Sequence, residues 1–354
     1  MTQERFYWID YAKVIGIFLV VLGHIHLQNK FYTDFIFSFH IPLFFFVSGF
    51  LFKSVGEFKA DFKKSFRTLL IPYFWFYVLS YFIWLEGFIR HPELFPDRSY
   101  YAFFVKPMAG MVLAVGYDTP HSIMANVPLW FLPGLFFCRM IFSLLLKFSK
   151  RGNTAMSFLI VALVALLVIL ELFDKVPLFS IGSAVMALPF FYAGYLLKNS
   201  RFQPSNISRN MLGFILAAGF TVTVLLAWIN GYVDMNYVNF GKSPILFYIG
   251  GATGTVMVLT LSMMIDRFRH SVINFVSANT LTIFAIHLPI LLFTLEIFGH
   301  FVESEPHPGL HSLPYSVIVS FIVLASCGVP VVIIDRYFPF ILGKNKEKAK
   351  ALPA

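Results

Sequence analysis

Charged residues are scarce in this chain. Asp, Glu, Lys and Arg make up only 13% of its 354 residues, where soluble domains carry about 25%, and 58% are apolar. That balance excludes a soluble globular protein. Cysteine is nearly absent as well: Cys138 and Cys327 stand alone, each inside an apolar stretch, so neither a disulfide framework nor a cysteine-based metal site is on offer. No linker or shift of composition divides the chain, which leaves one domain and no soluble module. The first apolar stretch lacks a small-residue cleavage site and is interrupted by Asp10 and Lys13. It is expected to remain as a span rather than leave as a signal peptide.

What is present is a series of apolar stretches, each near the roughly 20 residues that a membrane crossing needs. Ten are read, at 7–27, 35–52, 68–88, 127–148, 154–173, 180–198, 210–230, 244–265, 277–299 and 314–335. The expected fold is all-α: a polytopic integral membrane protein of about ten transmembrane helices. A net charge of +9 would suggest nucleic acid in a soluble protein, but its distribution argues for a lipid bilayer and no nucleic acid. With the amino terminus in the cytoplasm, nineteen of the 27 basic residues fall on inner segments and six on outer ones. This is the positive-inside asymmetry, with both termini cytoplasmic. Residues 1–343 read as a single transmembrane domain and 344–354 as a basic cytoplasmic tail able to touch anionic lipid. Lys13 and Arg139 are the only basic side chains placed inside spans.

Two outer connections are long. The first, 89–126, surrounds an apolar piece at 101–116 that is too short to span and is expected at the interface. The second, 300–313, carries His300, Glu303, Glu305, His307 and His311. It reads as a solvated polar turn that can also meet a polar substrate, and its spacing matches no metal-ligand pattern.

Ionisable side chains at membrane depth cost about 2.5–3.5 kcal/mol each on insertion scales, so each asks for a reason. Lys13 and His24 are eleven residues apart, almost three helical turns, and share one face about 16 Å apart along the axis. They cannot touch, but they can grip the two ends of one long molecule. Asp10 can pair with Lys13 on that face; otherwise Lys13 is a snorkelling side chain. His40 follows a short 28–34 hairpin at similar depth to His24. One of the two imidazoles can act as general base, titrating near about 6.5 when unperturbed, or His40 merely bonds a neighbouring carbonyl. Ser48 and Gly49 give a small surface that a ligand or helix can approach. Lys63 and Arg67, if helical, face one way and can hold phosphate at the inner side, although inner loops are basic in any case. His287, Asn279 and Trp130 are open between acceptor contacts and structural roles, Trp130 as an interfacial anchor.

Several segments carry a family resemblance. Trp8-x-Asp10-x-x-Lys13 leading to Gly23-His24, and Phe39-His40-Ile41-Pro42-Leu43-Phe44-Phe45-Phe46-Val47-Ser48-Gly49-Phe50, resemble the membrane-bound acyltransferase family 3. Leu129-Trp130-Phe131-Leu132, Gly194-Tyr195-Leu196-Leu197 and Asn279-Thr280-Leu281 with His287 continue the likeness over about residues 5–335. The resemblance implies ten helices and transfer of an acyl group, usually acetyl from cytoplasmic acetyl-CoA, to a hydroxyl of an extracytoplasmic saccharide such as surface polysaccharide or lipopolysaccharide. It implies a bacterial inner-membrane setting and no tightly bound cofactor. It also places functional roles on Lys13 and His24 and on the basic pair Lys63 and Arg67. Many members carry Arg where this chain has Lys13 and Lys63, so a bidentate guanidinium grip on phosphate is weakened here while the charge remains.

The expected mechanism assigns Lys13, Lys63, Arg67, Asp10 and Ser48 to the acyl-CoA donor and His24 and His40 to catalysis. His24 either deprotonates the acceptor hydroxyl or takes the acyl group transiently. The rival class is a transporter or flippase of a polar or lipid-linked solute, for which intramembrane His and Lys also serve. No inverted repeat between the halves supports that rival. A purely structural scaffold would leave the shared face of Lys13 and His24 without a reason.

Overall fold

The computed structural model describes residues 5–25, 30–54, 56–90, 97, 99–114, 116, 119, 121–148, 153–173, 179–301 and 312–344. Among these the chain is helical, and its only extended pairings are two isolated bridges, Thr119 with Ser122 and Asp234 with Asn239. The helix starts follow local chemistry. Pro244 and Pro314 stand in first turns, where a missing N–H costs nothing. Ser208 caps its helix by accepting from the Met211 N–H at 3.2 Å.

Helix α1 (Tyr7–Gly23) is followed by α2 (Lys30–Phe37) and α3 (His40–Phe50), which together make one 21-residue span broken at Ser38 and Phe39. The expected 28–34 loop is therefore helical from Lys30 onward. Helix α4 (Phe58–Ser65) runs through a π-helical turn at Phe66–Leu70 into α5 (Ile71–Arg90), giving 33 continuous residues. The basic segment read as an inner loop is thus the start of a helix, burying Asp61, Ser65 and Leu69 at a spacing of four. Helix α6 (Lys106–Leu113) lies against α5, where the Tyr73 and Tyr77 hydroxyls donate to Met111 O at 2.6 Å and Pro107 O at 2.7 Å. This docking is the fate of the short apolar piece.

The remaining helices are α7 (Phe131–Phe148), α8 (Asn153–Leu172), α9 (Ile181–Asn199), α10 (Arg209–Asn230), α11 (Pro244–Ile265), α12 (Ser271–Ala278), α13 (Thr280–Phe301), α14 (Leu313–Ser326) and α15 (Gly328–Tyr337). Among the described residues nine helices are long and apolar enough to cross a membrane. The expected tenth is α1, which at 17 residues is shorter than the others. Most of the 300–313 turn, His307 and both glutamates included, lies outside the described residues, as does the tail beyond Lys344.

Helix α1 is wrapped by α3, α11, α12, α13 and α14, whereas α8 and α10 turn Phe158, Phe214 and Trp228 outward as a lipid-facing surface. Helix α3 is apolar almost all round and buried accordingly. Its contact with α9 is set by two small residues. A Cβ on Gly49 would stand 1.9 Å from Phe191 O, and one on Gly194 would stand 2.0 Å from Phe46 O. Backbones this close admit no side chain. Gly49→Ala must separate α3 from α9 and is expected to destabilise the bundle by about 1–3 kcal/mol or more, read as a lowered thermal midpoint in detergent; an unchanged midpoint would show that the contact yields.

Candidate active site

Three histidines converge at one end of the bundle. His24 follows directly on α1, His40 opens α3 and His287 lies within α13. The His24 and His287 rings are 5.0 Å apart, centre to centre, in an edge arrangement. His24 and His40 both line a cavity of about 450 Å³ with Phe37, Trp130, Tyr232, Asp234, Asn236 and Phe284. His40 and His287 are buried, and His24 is half-buried.

Each imidazole has one nitrogen committed to its own backbone. Nδ1 lies 2.7 Å from Val20 O in His24, 2.8 Å from Ile36 O in His40 and 2.6 Å from Phe284 O in His287. A carbonyl oxygen only accepts, so in all three Nδ1 donates and carries the proton, leaving Nε2 with its lone pair. In His287 that Nε2 is buried without a hydrogen-bond partner among the described residues. Local geometry thereby sets the tautomer a general base or nucleophile needs. No group of three or more His, Cys, Asp or Glu side chains is arranged to hold a metal ion among the described residues.

A second cavity, about 220 Å³, sits deeper, lined by Lys13, Ser48, Leu69, Leu132, Arg139, Ser277 and Phe284 among others. Lys13 Nζ donates to Ser277 O at 2.9 Å and lies 3.7 Å from an Asp10 carboxylate oxygen. Asp10 also takes the Arg5 Nε–H at 2.7 Å and the Ser277 hydroxyl. Its lone pairs are thus committed within the protein, and it steadies Lys13 rather than facing the cavity. Arg139 differs, since its Nε is buried and finds no partner among the described residues. A guanidinium beside Lys13 in a cavity with no acid among its described lining residues is a site for an anion.

Phe284 lines both cavities. Its ring lies 5.0 Å from that of Phe131 and 6.5 Å from that of Phe44, while Phe44 and Phe131 are 6.1 Å apart. The two chambers thus meet at three aromatic rings, with Lys13 and His24 on either side along one face of α1. Under the amino end of α1, on the Lys13 side, a further opening of about 740 Å³ is rimmed by Arg5, Lys198, Arg267 and Arg269. Lys198 Nζ stands 3.8 Å above the Phe6 ring and the Arg269 guanidinium 4.3 Å above the Tyr7 ring.

The residues singled out from sequence fall into three groups. Lys13 and Ser48 line the deep cavity; His24, His40 and Trp130 line the histidine cavity, with His287 against His24. Lys63 and Arg67 lie on the exposed side of α4 and the turn after it, outside both cavities, and Arg67 Nε donates to Gly343 O. Asn279 caps α12 and donates to Phe275 O at 2.9 Å, and it is not among the residues lining either chamber, although its neighbours Ala278 and Thr280 line the deep one. Sequence reasoning gave no role to Arg139 or to the 231–243 turn. Arg139 carried a signal, being nine residues past Trp130 and so about 13 Å deeper along the helix. The turn carried none, because its contact with the histidines depends on how α10 and α11 pack.

Comparison with curated proteins and with solved structures gave no match. The family profile described as an acyltransferase domain, that of acyltransferase family 3, matches residues 6–334, a span that takes in both cavities and every helix that lines them. The chain belongs to acyltransferase family 3 and is an integral membrane acyltransferase.

Proposed function

We propose that this enzyme carries an acyl group, acetyl being the simplest, from a coenzyme A thioester on the cytoplasmic side to a hydroxyl of a saccharide on the opposite face of a bacterial inner membrane. The observation that carries the reading is the pair of cavities sharing Phe284, one cationic and one bearing histidine, with Lys13 and His24 about 16 Å apart along α1. That distance suits an extended pantetheine arm. Lys13 and Arg139 take phosphate oxygens at the near end of the donor, and Ser48 faces the same chamber. Lys63, Arg67 and the basic opening under α1 add positive potential on that side, which draws an anionic donor in.

The thioester carbonyl then lies beside His24. Nε2 of His24 removes the proton from the acceptor hydroxyl, the oxygen attacks the thioester carbon and the carbon–sulfur bond breaks. The proton held on the imidazole returns to the departing thiolate, so the ester and free thiol leave with the base restored. His40 and His287 keep the chamber polar around this exchange without adding net charge.

The test uses the purified protein in liposomes with acetyl-CoA inside and neutral oligosaccharide outside. Free thiol is expected to appear in step with an oligosaccharide heavier by one acetyl group by mass spectrometry. Thiol release with no acylated product under any acceptor would refute transfer to a saccharide.

A further inference from the structure

We infer that the chain carries a binding site for one anionic phospholipid, with its headgroup phosphate in the basic opening under α1 and an acyl chain in an apolar groove between α9, α10 and α11. The two hollows adjoin, since Leu197, Ser200 and Phe202 line both. The start of α1 and the ends of α9 and α11 lie where the charge asymmetry of the sequence puts the cytoplasm. The lipid therefore comes from the inner leaflet.

Three segments of chain bring cations to the opening: Arg5 precedes α1, Lys198 stands in the last turn of α9, and Arg267 and Arg269 follow α11. Aromatic rings hold them in place. Lys198 Nζ is 3.8 Å from the centre of the Phe6 ring and 5.3 Å from that of Phe50, and the Tyr7 ring receives the Arg269 guanidinium at 4.3 Å and that of Arg5 at 5.2 Å. A ring fixes a cation without neutralising it, so the charge stays available to an anion. Arg5 is steadied further by Asp10 at 2.7 Å and Asn274 at 2.6 Å. Ser200, Gln203 and Ser205 add groups able to bond an ester or a headgroup hydroxyl, and Asp266 lines the opening as well. The four cations exceed Asp266 and one phosphate together, so the opening keeps its positive potential with the lipid bound.

The groove encloses about 540 Å³ and is lined by Phe46, Leu196, Leu212, Ile215, Val256 and Met263 among others. It opens toward the bilayer. Ala193 and Val256 on its wall are exposed, and Phe214, beside Ile215 on α10, is turned outward too. Cations at one end and apolar wall at the other match a phosphate joined to a hydrocarbon chain, the two-part chemistry by which basic pockets between membrane helices take anionic lipid. A soluble nucleotide would use the cations and leave the groove empty, whereas an uncharged lipid would do the reverse.

The purified full chain in detergent is tested by native mass spectrometry and thermal melting, with dioleoyl phosphatidylglycerol against dioleoyl phosphatidylcholine. The wild type is expected to retain phosphatidylglycerol at least about fivefold over phosphatidylcholine, and to melt higher with it but not with glycerol 3-phosphate, which has the charge without the chains. Lys198→Glu with Arg269→Glu should abolish the preference. Ala193→Trp fills the groove, leaves every cation in place and should lower retention at least about fivefold, which keeps the test decisive if the reversed rim fails to fold. Lys53→Glu with Lys59→Glu, a matched reversal outside the opening, should retain the lipid as the wild type does. Equal retention of both lipids by the wild type, unchanged preference in a folded rim variant, wild-type retention in Ala193→Trp, or an equal loss in the Lys53 and Lys59 control would overturn the site. Release of the bound lipid by adenosine 3′,5′-bisphosphate would overturn it too, by giving the opening to the nucleotide of a donor. Retention is read without turnover, so this site and the acyl-transfer reading fail separately.

Discussion

His24→Ala is expected to lower acyl transfer by about 10²–10⁴-fold, the range that a positioned general base supplies, while leaving the donor KM nearly unchanged. In the proposed mechanism the donor's charged end sits around Lys13, three turns away along α1, and Arg139, so the loss should fall on kcat. His40 and His287 cannot stand in. Both are buried more deeply than His24, and His287 Nε2 is enclosed with no hydrogen-bond partner among the described residues. The comparison to make is with His40→Ala: a general base at position 24 predicts a much smaller effect from position 40. Full transfer in a folded His24→Ala protein would eliminate the assignment.

Arg139→Met is expected to do two opposed things. The donor KM should rise by at least about 30-fold, since losing a charged hydrogen-bonding partner of an anion costs about 2 kcal/mol or more. The protein without donor should melt at a higher temperature, because a guanidinium whose buried Nε has no partner among the described residues is replaced by an apolar chain of similar length. Purely structural arginines give the reverse, a loss of stability with the donor KM intact. Thermal melting with and without acetyl-CoA, alongside donor saturation curves, separates the two roles. A destabilised variant with normal donor saturation would remove Arg139 from the donor site.

Much of this architecture was legible in the sequence, for physical reasons that differ from residue to residue. Spans follow from hydropathy because lipid forces every backbone group to bond within its own segment, and the ten stretches correspond to the nine long helices and α1. The shared face of Lys13 and His24 follows from helical period alone, which α1 obeys. The placement of Lys63 and Arg67 did not follow. The pair does face one way, but Asp61, Ser65 and Leu69 turn inward instead, and Asp61 is drawn in by the hydroxyls of Ser54 and Ser143 at 2.7 Å each. No local rule tells that a carboxylate will be buried by serines seven and 82 residues away in sequence. Asp10 shows a similar limit: pairing with Lys13 was readable from their spacing, whereas its bonds to Arg5 and Ser277 depend on α12 folding against α1.

The three rings of Phe44, Phe131 and Phe284 bear on bioenergetics. Two chambers that reach toward each other from opposite ends of a bundle thin the hydrocarbon barrier between them to the width of an aromatic cluster. A living membrane at that point is electrically insulated by phenylalanine rather than by lipid. In the proposed mechanism the septum lets a thin uncharged thioester tail slip between rings while refusing hydrated ions and chains of water, and rings packed edge against face are suited to both tasks. On that proposed reading, transfer across two compartments proceeds with the membrane tight to protons and without a moving gate.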